Sequence, residues 1–87
     1  MNTNEAIELV RAEREAQIKV WSDQQNTPFS WISILGEEYG HLCCAVNETH
    51  LDMAQYPEKG GRENIIREAT HVAAIAVAIL ESIDEIA

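Results

Sequence analysis

Apolar residues recur every three or four positions along three stretches of the chain, and this spacing predicts three amphipathic helices. The expected helices span about residues 4–21, from 28 or 30 to 49, and 62–86. A polar loop over residues 22–28 separates the first two, and Pro57 and Gly60-Gly61 interrupt the connection to the third. The pattern therefore predicts an all-α fold.

The first predicted helix combines an apolar stripe with a highly charged middle. Asn4 is placed to cap its N-terminus. The charged middle, residues 11–15, is either solvated or turned toward a polar site. The expected apolar stripe consists of Ile7, Val10, Ile18 and Trp21.

The third predicted helix is apolar on every side between residues 72 and 80. A helix of this kind is buried on several sides, which three helices in 87 residues cannot easily achieve within one chain. We therefore predict a single domain, residues 1–87, that forms a bundle of three main helices completed by oligomerisation. A homodimer or homotetramer is expected, with the third helix near the interface.

Two carboxylates and two imidazoles interrupt the apolar pattern of the second and third helices. Glu38 and His41 are three residues apart, and so are Glu68 and His71. On a helix this spacing places both members of each pair on one face. Two such helices packed face to face would gather all four side chains into a small volume, where buried charge is costly unless it is neutralised. A metal ion, or a phosphate held through one, is the usual partner.

Charge and composition narrow the classes of partner. The chain has 6 Lys plus Arg against 15 Asp plus Glu, a formal charge of −9, which disfavours nucleic acid polymers and anionic membranes. The longest apolar run is far shorter than the about 20 residues of a membrane span, and the N-terminus has no signal-peptide pattern. We therefore expect a cytoplasmic protein. The adjacent Cys43 and Cys44 are interpreted as small, reduced packing residues.

Three motifs of this chain resemble those of a known superfamily. They are residues 11–14 (RAER) followed by Gln17 and Trp21, residues 31–40 (WISILGEEYG), and residues 67–76 (REATHVAAIA). Together they resemble the short MazG-like proteins common in phage and bacterial genomes. These belong to the all-α nucleoside triphosphate pyrophosphohydrolases, whose signature is Glu-Glu-x-x-Glu on one helix and Glu-x-x-Asp on a later one. The resemblance covers nearly the whole chain.

The resemblance implies cleavage of a nucleoside triphosphate between its α and β phosphates, which releases the monophosphate and pyrophosphate. In that superfamily, four acidic side chains from two helices hold Mg²⁺ ions that grip the phosphates and help activate water. Carried over to this chain, Glu38 and Glu68 are metal ligands. Glu37 is a second carboxylate that orients water, so Glu37 and Glu38 are the expected catalytic residues.

The chain departs from the superfamily signature at two positions. His41 stands where the signature has its last Glu, and His71 stands where it has Asp. Because Mg²⁺ prefers oxygen ligands, two His plus two Glu suit a softer ion such as Mn²⁺, Co²⁺, Fe²⁺ or Zn²⁺. Two alternatives stay open. In the first, the pocket binds a nucleotide without hydrolysing it, and the histidines donate hydrogen bonds to the phosphates. In the second, the protein binds no nucleotide.

Further residues are candidates for binding the nucleotide. Lys59 and Arg62 flank Gly60-Gly61 just before the third helix, and free N–H groups at a helix N-terminus favour phosphate. Gln17 and Trp21 face the polar loop and are the expected contacts to the base. Arg14 is a further candidate cation. The alternative for each cation is a solvated side chain that balances neighbouring carboxylates.

These observations support two main hypotheses for function. The first is a MazG-like nucleotide-processing enzyme with an altered metal site. The second is a noncatalytic binder that sequesters a nucleotide or a nucleotide-derived signalling molecule, as a phage anti-defence protein would. A purely structural helical oligomer is a third class, and it leaves Glu38 and Glu68 unexplained.

Overall fold

Four α-helices and one 3₁₀ turn make up the described part of the chain. The computed structural model describes residues 1–21, 26–52 and 54–87. No strand occurs in these residues, so the all-α prediction is confirmed, while residues 22–25 of the predicted polar loop lie outside them. The elements are α1 (Thr3–Trp21), α2 (Pro28–His50), a 3₁₀ turn (Pro57–Lys59), α3 (Arg62–Glu81) and α4 (Ile83–Ile86).

The N-terminus of α1 is capped by Asn2 and not by the predicted Asn4. The Glu5 N–H donates to Asn2 Oδ1 at 2.9 Å, and the Asn2 N–H donates to Glu5 Oε1 at 3.2 Å. This reciprocal pair is a capping box, in which two otherwise unpaired N–H groups find acceptors. The acidic residue that completes the box lies three residues after Asn2, whereas the residue three after Asn4 is apolar.

The core lies where α3 packs against both α1 and α2. Trp31 of α2 and Ile75 of α3 are 6% and 3% exposed. Ala74 and Ala78 of α3 are fully buried, and their small side chains allow the neighbouring helices to approach closely. Partly buried apolar residues surround this cluster: Ile34, Leu35, Ile79 and Ile86.

The helix predicted to run to residue 86 is interrupted at Ser82. Its backbone has φ −97° and ψ 11°, and its N–H lies 3.1 Å from the carbonyl oxygens of both Ala78 and Ile79. The short helix α4 that follows places Ile86 against the core cluster. We attribute the interruption to the burial of Ile86, because a straight continuation of α3 would direct this apolar side chain away from the core cluster.

The buried edge of α1 is polar, which differs from the predicted apolar stripe. Ile7, Ile18 and Trp21 are 49%, 42% and 50% exposed. Gln17, in contrast, is 7% exposed, and Glu13 lies one turn before it on the same side of the helix. Ile7, Val10 and Ile18 of the predicted stripe do share one face, where they line a groove with Val77 of α3. The polar edge of α1 instead contacts charged side chains of the other helices.

The apolar run of α3 is buried on only part of its surface within one chain. Ala74, Ile75 and Ala78 are buried, but Leu80 is 68% exposed. None of the described helices is long and apolar enough to cross a lipid bilayer.

Tight contacts join the end of α2 to the start of α3 and set the register between them. The Gly61 N–H donates to Thr49 Oγ1 at 2.7 Å, and Asn64 Nδ2 donates to the Gly60 carbonyl at 2.6 Å. A Cβ atom at Gly60 would lie 2.8 Å from the Glu48 carbonyl carbon. From this junction α2 and α3 run antiparallel, so residues at similar distances from it face each other.

Candidate metal centre

Five titratable side chains from three helices converge on one side of the bundle. Helix α2 contributes Glu38 and His41, α3 contributes Glu68 and His71, and α1 contributes Glu13. The structure therefore brings together all four residues that the sequence predicted as metal ligands. It adds Glu13, which the sequence prediction omitted.

His71 lies at the centre of this cluster. Its Nδ1 is 3.5 Å from Glu38 Oε2 and 3.5 Å from Glu68 Oε2. On the opposite side of the ring, Nε2 is 3.1 Å from Glu13 Oε1. One imidazole thus connects carboxylates from all three long helices.

His41 approaches the same two carboxylate oxygens from the solvent side. Its Nδ1 is 3.6 Å from Glu38 Oε2 and 4.0 Å from Glu68 Oε2, and its side chain is 53% exposed. One potential ligand atom from each of these three residues lies within 4.8 Å of the others. An ion bound about 2 Å from each ligand atom requires only small side-chain adjustments from this arrangement.

The two central carboxylates are poorly compensated. The side chains of Glu38 and Glu68 are 23% and 14% exposed. Within the described residues, the Oε2 atom of each is buried and accepts no hydrogen bond, an arrangement that is unfavourable for a charged oxygen. The other oxygen of Glu68 has a partner, because Arg67 Nε lies 3.4 Å from Oε1. The two Oε2 atoms therefore meet the imidazole nitrogens at a place suited to a cation.

The ligand atoms present fit a transition metal better than Mg²⁺. Glu38, Glu68, His41 and His71 offer two carboxylates and two imidazole nitrogens, a mixed set that suits Mn²⁺, Co²⁺, Fe²⁺ or Zn²⁺. Mg²⁺ strongly prefers an all-oxygen octahedron. A bound divalent ion would supply charge for phosphate oxygens and a more acidic bound water.

Glu13 is positioned to orient His71. A metal-bound histidine usually donates its other ring N–H to a carboxylate, which holds the ring and its tautomer. The Glu13 contact to Nε2 has this form, because Nδ1 faces Glu38 and Glu68. The sequence did contain a signal for this role. Glu13 lies in the charged middle of α1, residues 11–15, for which a polar site was one of two expectations, and Gln17 follows it at i,i+4.

Glu13→Gln is expected to weaken binding of Mn²⁺ by about 10- to 100-fold, the usual cost of losing a carboxylate behind a histidine ligand. Isothermal titration calorimetry measures the affinity. Glu15→Gln is the matched control, because Glu15 lies on the same helix and is exposed. Equal Mn²⁺ affinity of the Glu13→Gln and Glu15→Gln variants would show that Glu13 has no role in the site.

A cavity of about 310 Å³ adjoins the metal centre. Glu38 lines this cavity and also belongs to the cluster, so the two regions are continuous. Four other residues predicted to bind or act on the nucleotide share its lining: Arg14, Gln17, Trp21 and Glu37.

Lys59 and Arg62 lie at the junction of α2 and α3, toward the other end of the helix pair. Lys59 Nζ lies 5.0 Å from the centre of the Tyr56 ring, and Arg62 Nη1 is 3.4 Å from Glu63 Oε1. Within the described residues, no hydrogen bond or ion pair joins either cation to the five-residue cluster. Their predicted role in binding phosphate stays a prediction.

Tyr39 is the titratable group with a resolved shift among the described residues. Its side-chain hydrogen bond with Cys43 raises the pKa of the exposed Tyr39 phenol.

No known protein family, no curated protein and no solved structure matches this chain. The MazG-like resemblance therefore stays a prediction that depends on three short motifs. The proposal for function therefore depends on the geometry of the site.

Proposed function

We propose that the protein is a nucleotide pyrophosphohydrolase that depends on a transition metal and converts a nucleoside triphosphate into its monophosphate and pyrophosphate. The observation that supports this proposal is the convergence of Glu38, His41, Glu68 and His71 beside a cavity. Three carboxylates, counting Glu13, would repel a polyphosphate. A divalent cation between them and the phosphates would remove that repulsion, and the proposal is supported by the two Oε2 atoms that lack a hydrogen bond.

In this proposal the residues of the site have separate roles. Glu38, Glu68, His41 and His71 hold the metal, which supplies phosphate binding and water activation. Glu37 lines the cavity next to Glu38 and orients the attacking water as a general base. Arg14 is already paired with Glu81 at 2.5 Å. It therefore serves mainly as part of the cavity wall and contributes less to neutralising the charge of the phosphates.

The direct test is release of pyrophosphate from a mixture of nucleoside triphosphates with Mn²⁺, Zn²⁺ or Mg²⁺. Mn²⁺ is expected to support turnover at least about tenfold faster than Mg²⁺, because imidazole ligands disfavour Mg²⁺. Phosphorus NMR distinguishes pyrophosphate from orthophosphate. Absence of turnover with every metal would reject hydrolysis, and orthophosphate as the first product would reject cleavage between the α and β phosphates.

A noncatalytic nucleotide binder is the second candidate, and the ion pairs within the cluster favour it. When protonated, His41 and His71 offset two of the three carboxylate charges contributed by Glu13, Glu38 and Glu68. The cluster is then held together without a metal, and the Nε2–H group of His41 is available to a phosphate oxygen, because the contacts of His41 with Glu38 and Glu68 use Nδ1. Nucleotide binding that survives EDTA and yields no product would distinguish this function from hydrolysis.

We further propose that the active form is a homodimer or homotetramer. The chain exposes large apolar side chains, including Phe29 at 87% and Ile32 at 66%. A groove of about 600 Å³ between α1 and α3 is lined by apolar residues such as Ile7 and Val77. Burial of these surfaces against a second copy would stabilise the bundle, and sedimentation equilibrium measures the resulting mass.

A further inference from the structure

We infer that the cavity beside the metal centre binds a planar heterocycle with carbonyl oxygens, and that the Trp31 indole N–H donates a hydrogen bond to one of them. This inference deepens the proposed function, because it assigns the base end of the nucleotide. It also makes Trp31, previously only a core residue, a determinant of base specificity.

The Trp31 indole N–H is an unused donor. The residue is 6% exposed, it lines the cavity, and within the described residues its Nε1 is buried without a hydrogen-bond partner. An indole nitrogen can only donate, and buried tryptophans usually satisfy this group. An acceptor on a ligand in the cavity would satisfy it, once the cavity wall shifts enough to admit that acceptor to Nε1.

Gln17 supplies a second donor to the same cavity. It is 7% exposed and lines the cavity wall. Its Oε1 accepts from Arg14 Nη1 at 3.5 Å, and Arg14 is itself held by Glu81. Because the carbonyl end of Gln17 is directed at Arg14, its amide N–H groups are the ones available to a ligand. The cavity thus offers two donors, the Trp31 indole and the Gln17 amide, while Glu37 and Glu38 add carboxylate acceptors to its lining.

The cavity has room for a heterocyclic ring system. Its volume of about 310 Å³ is near the lower limit of small-molecule sites, which range from about 300 to 1,000 Å³. Trp21 offers a half-exposed aromatic surface at the wall, and aromatic rings stack favourably on bases. With the base in the cavity, the sugar and phosphates extend past Glu38 toward the metal centre.

Two donors select bases by their acceptors. Uracil, thymine, guanine and hypoxanthine present ring carbonyl oxygens, whereas adenine presents an exocyclic amino group at the corresponding edge. An amino group placed against the Trp31 N–H would leave two donors facing each other, which is strongly unfavourable in a buried site. The cavity is therefore expected to prefer bases with carbonyl groups.

The test titrates the full chain with uridine, guanosine and adenosine in the absence of metal, so that phosphate chemistry is not involved. Nitrogen–proton NMR follows the two indole N–H signals, since the chain has 2 Trp, and Trp21→Phe assigns them. We expect uridine or guanosine to bind at least about fivefold more tightly than adenosine and to shift the Trp31 signal downfield, as formation of one buried hydrogen bond predicts.

Trp31→Phe retains an aromatic ring and removes the donor. It should weaken binding of uridine or guanosine by about tenfold, the usual scale for one hydrogen bond, and leave adenosine binding unchanged. Trp21→Phe is the matched control, because it reduces stacking area equally for all bases. If Trp31→Phe does not fold, a synthetic chain with benzothienylalanine at position 31 retains the shape of Trp and lacks its N–H.

The outcomes separate this inference from the proposed hydrolysis. Equal affinity for all three nucleosides, or an equal loss for all three in the Trp31 variants, would overturn the assignment of the base site even if pyrophosphate is released. Selective binding of uridine or guanosine without any pyrophosphate release would support the base site and reject hydrolysis.

Discussion

Glu68→Gln is expected to eliminate metal binding and pyrophosphate release without lowering the stability of the metal-free protein. Glu68 is the least exposed carboxylate of the metal centre, and its Oε2 lies near Nδ1 of both His41 and His71. That oxygen accepts no hydrogen bond within the described residues. Neutralising it removes the cost of burying a charged oxygen without a hydrogen bond and at the same time removes a ligand that the cation requires.

The expected size of this effect is large enough to measure in two ways. Metal at 100 times its dissociation constant should stabilise the wild-type protein by about 2.7 kcal/mol, and the Glu68→Gln variant should lose this gain in thermal unfolding. Turnover should fall by more than about 100-fold, beyond the 10- to 100-fold typical of an outer-shell partner. Glu38→Gln should behave in the same way, because its Oε2 occupies the equivalent position.

Glu63→Gln is the control for this experiment. Glu63 lies on the same helix, its side chain is 88% exposed, and it pairs only with Arg62 among the described contacts. The control should match the wild-type protein in metal affinity and turnover. Normal metal binding by both the Glu38 and Glu68 variants would show that the candidate site is in the wrong place.

Gly60→Ala is expected to destabilise the fold by about 2 kcal/mol, the typical cost of forcing a methyl group into a packed site. The Cβ atom would lie 2.8 and 2.9 Å from the carbonyl carbon and oxygen of Glu48 and 3.0 Å from the Thr49 nitrogen. These are backbone atoms, which cannot rotate away as a side chain does. Gly60 has φ −93°, which any residue can adopt, so the predicted loss is purely steric.

Thermal or urea unfolding measures this prediction, and the midpoint temperature should fall by about 10 °C for a domain of this size. Gly36→Ala is the matched control, because a Cβ atom there meets nothing within 4 Å. In the interior of α2 this change should stabilise the single chain by about 1 kcal/mol. An unchanged midpoint for Gly60→Ala would mean that α2 and α3 are not in close contact at this junction.

The close packing at Gly60 affects both the stability of the fold and the geometry of the metal centre. The close approach at Gly60 and the hydrogen bond from Gly61 to Thr49 set how far α2 and α3 slide along each other. That register brings Glu38 opposite His71 and His41 opposite Glu68. A weakened junction should therefore also lower metal affinity, although no ligand has been changed.

Local pattern predicted the helices well because their signals are short-range. Helix α2 was expected to start near residue 28 or 30, and the structure has the first of these, Pro28, with the Thr27 hydroxyl accepting from the Ser30 N–H at 3.1 Å. The expected start of α3 at Arg62 also agrees. The cap was missed although the spacing of Asn2 and Glu5 is itself a local capping-box signal. The break at Ser82 was not predictable in this way, because Ile86 packs against a core cluster formed by distant residues.

The sequence by itself determined the all-α class, the approximate limits of the three long helices, and the grouping of Glu38 with His41 and of Glu68 with His71. Each follows from spacing along one helix, where geometry repeats every 3.6 residues. Only the tertiary structure decided that the two pairs meet and that α1 turns its polar edge inward with Glu13. Only the tertiary structure left the Trp31 N–H unpaired beside a cavity. These features depend on register and rotation between helices, which are set by contacts between residues far apart in the chain.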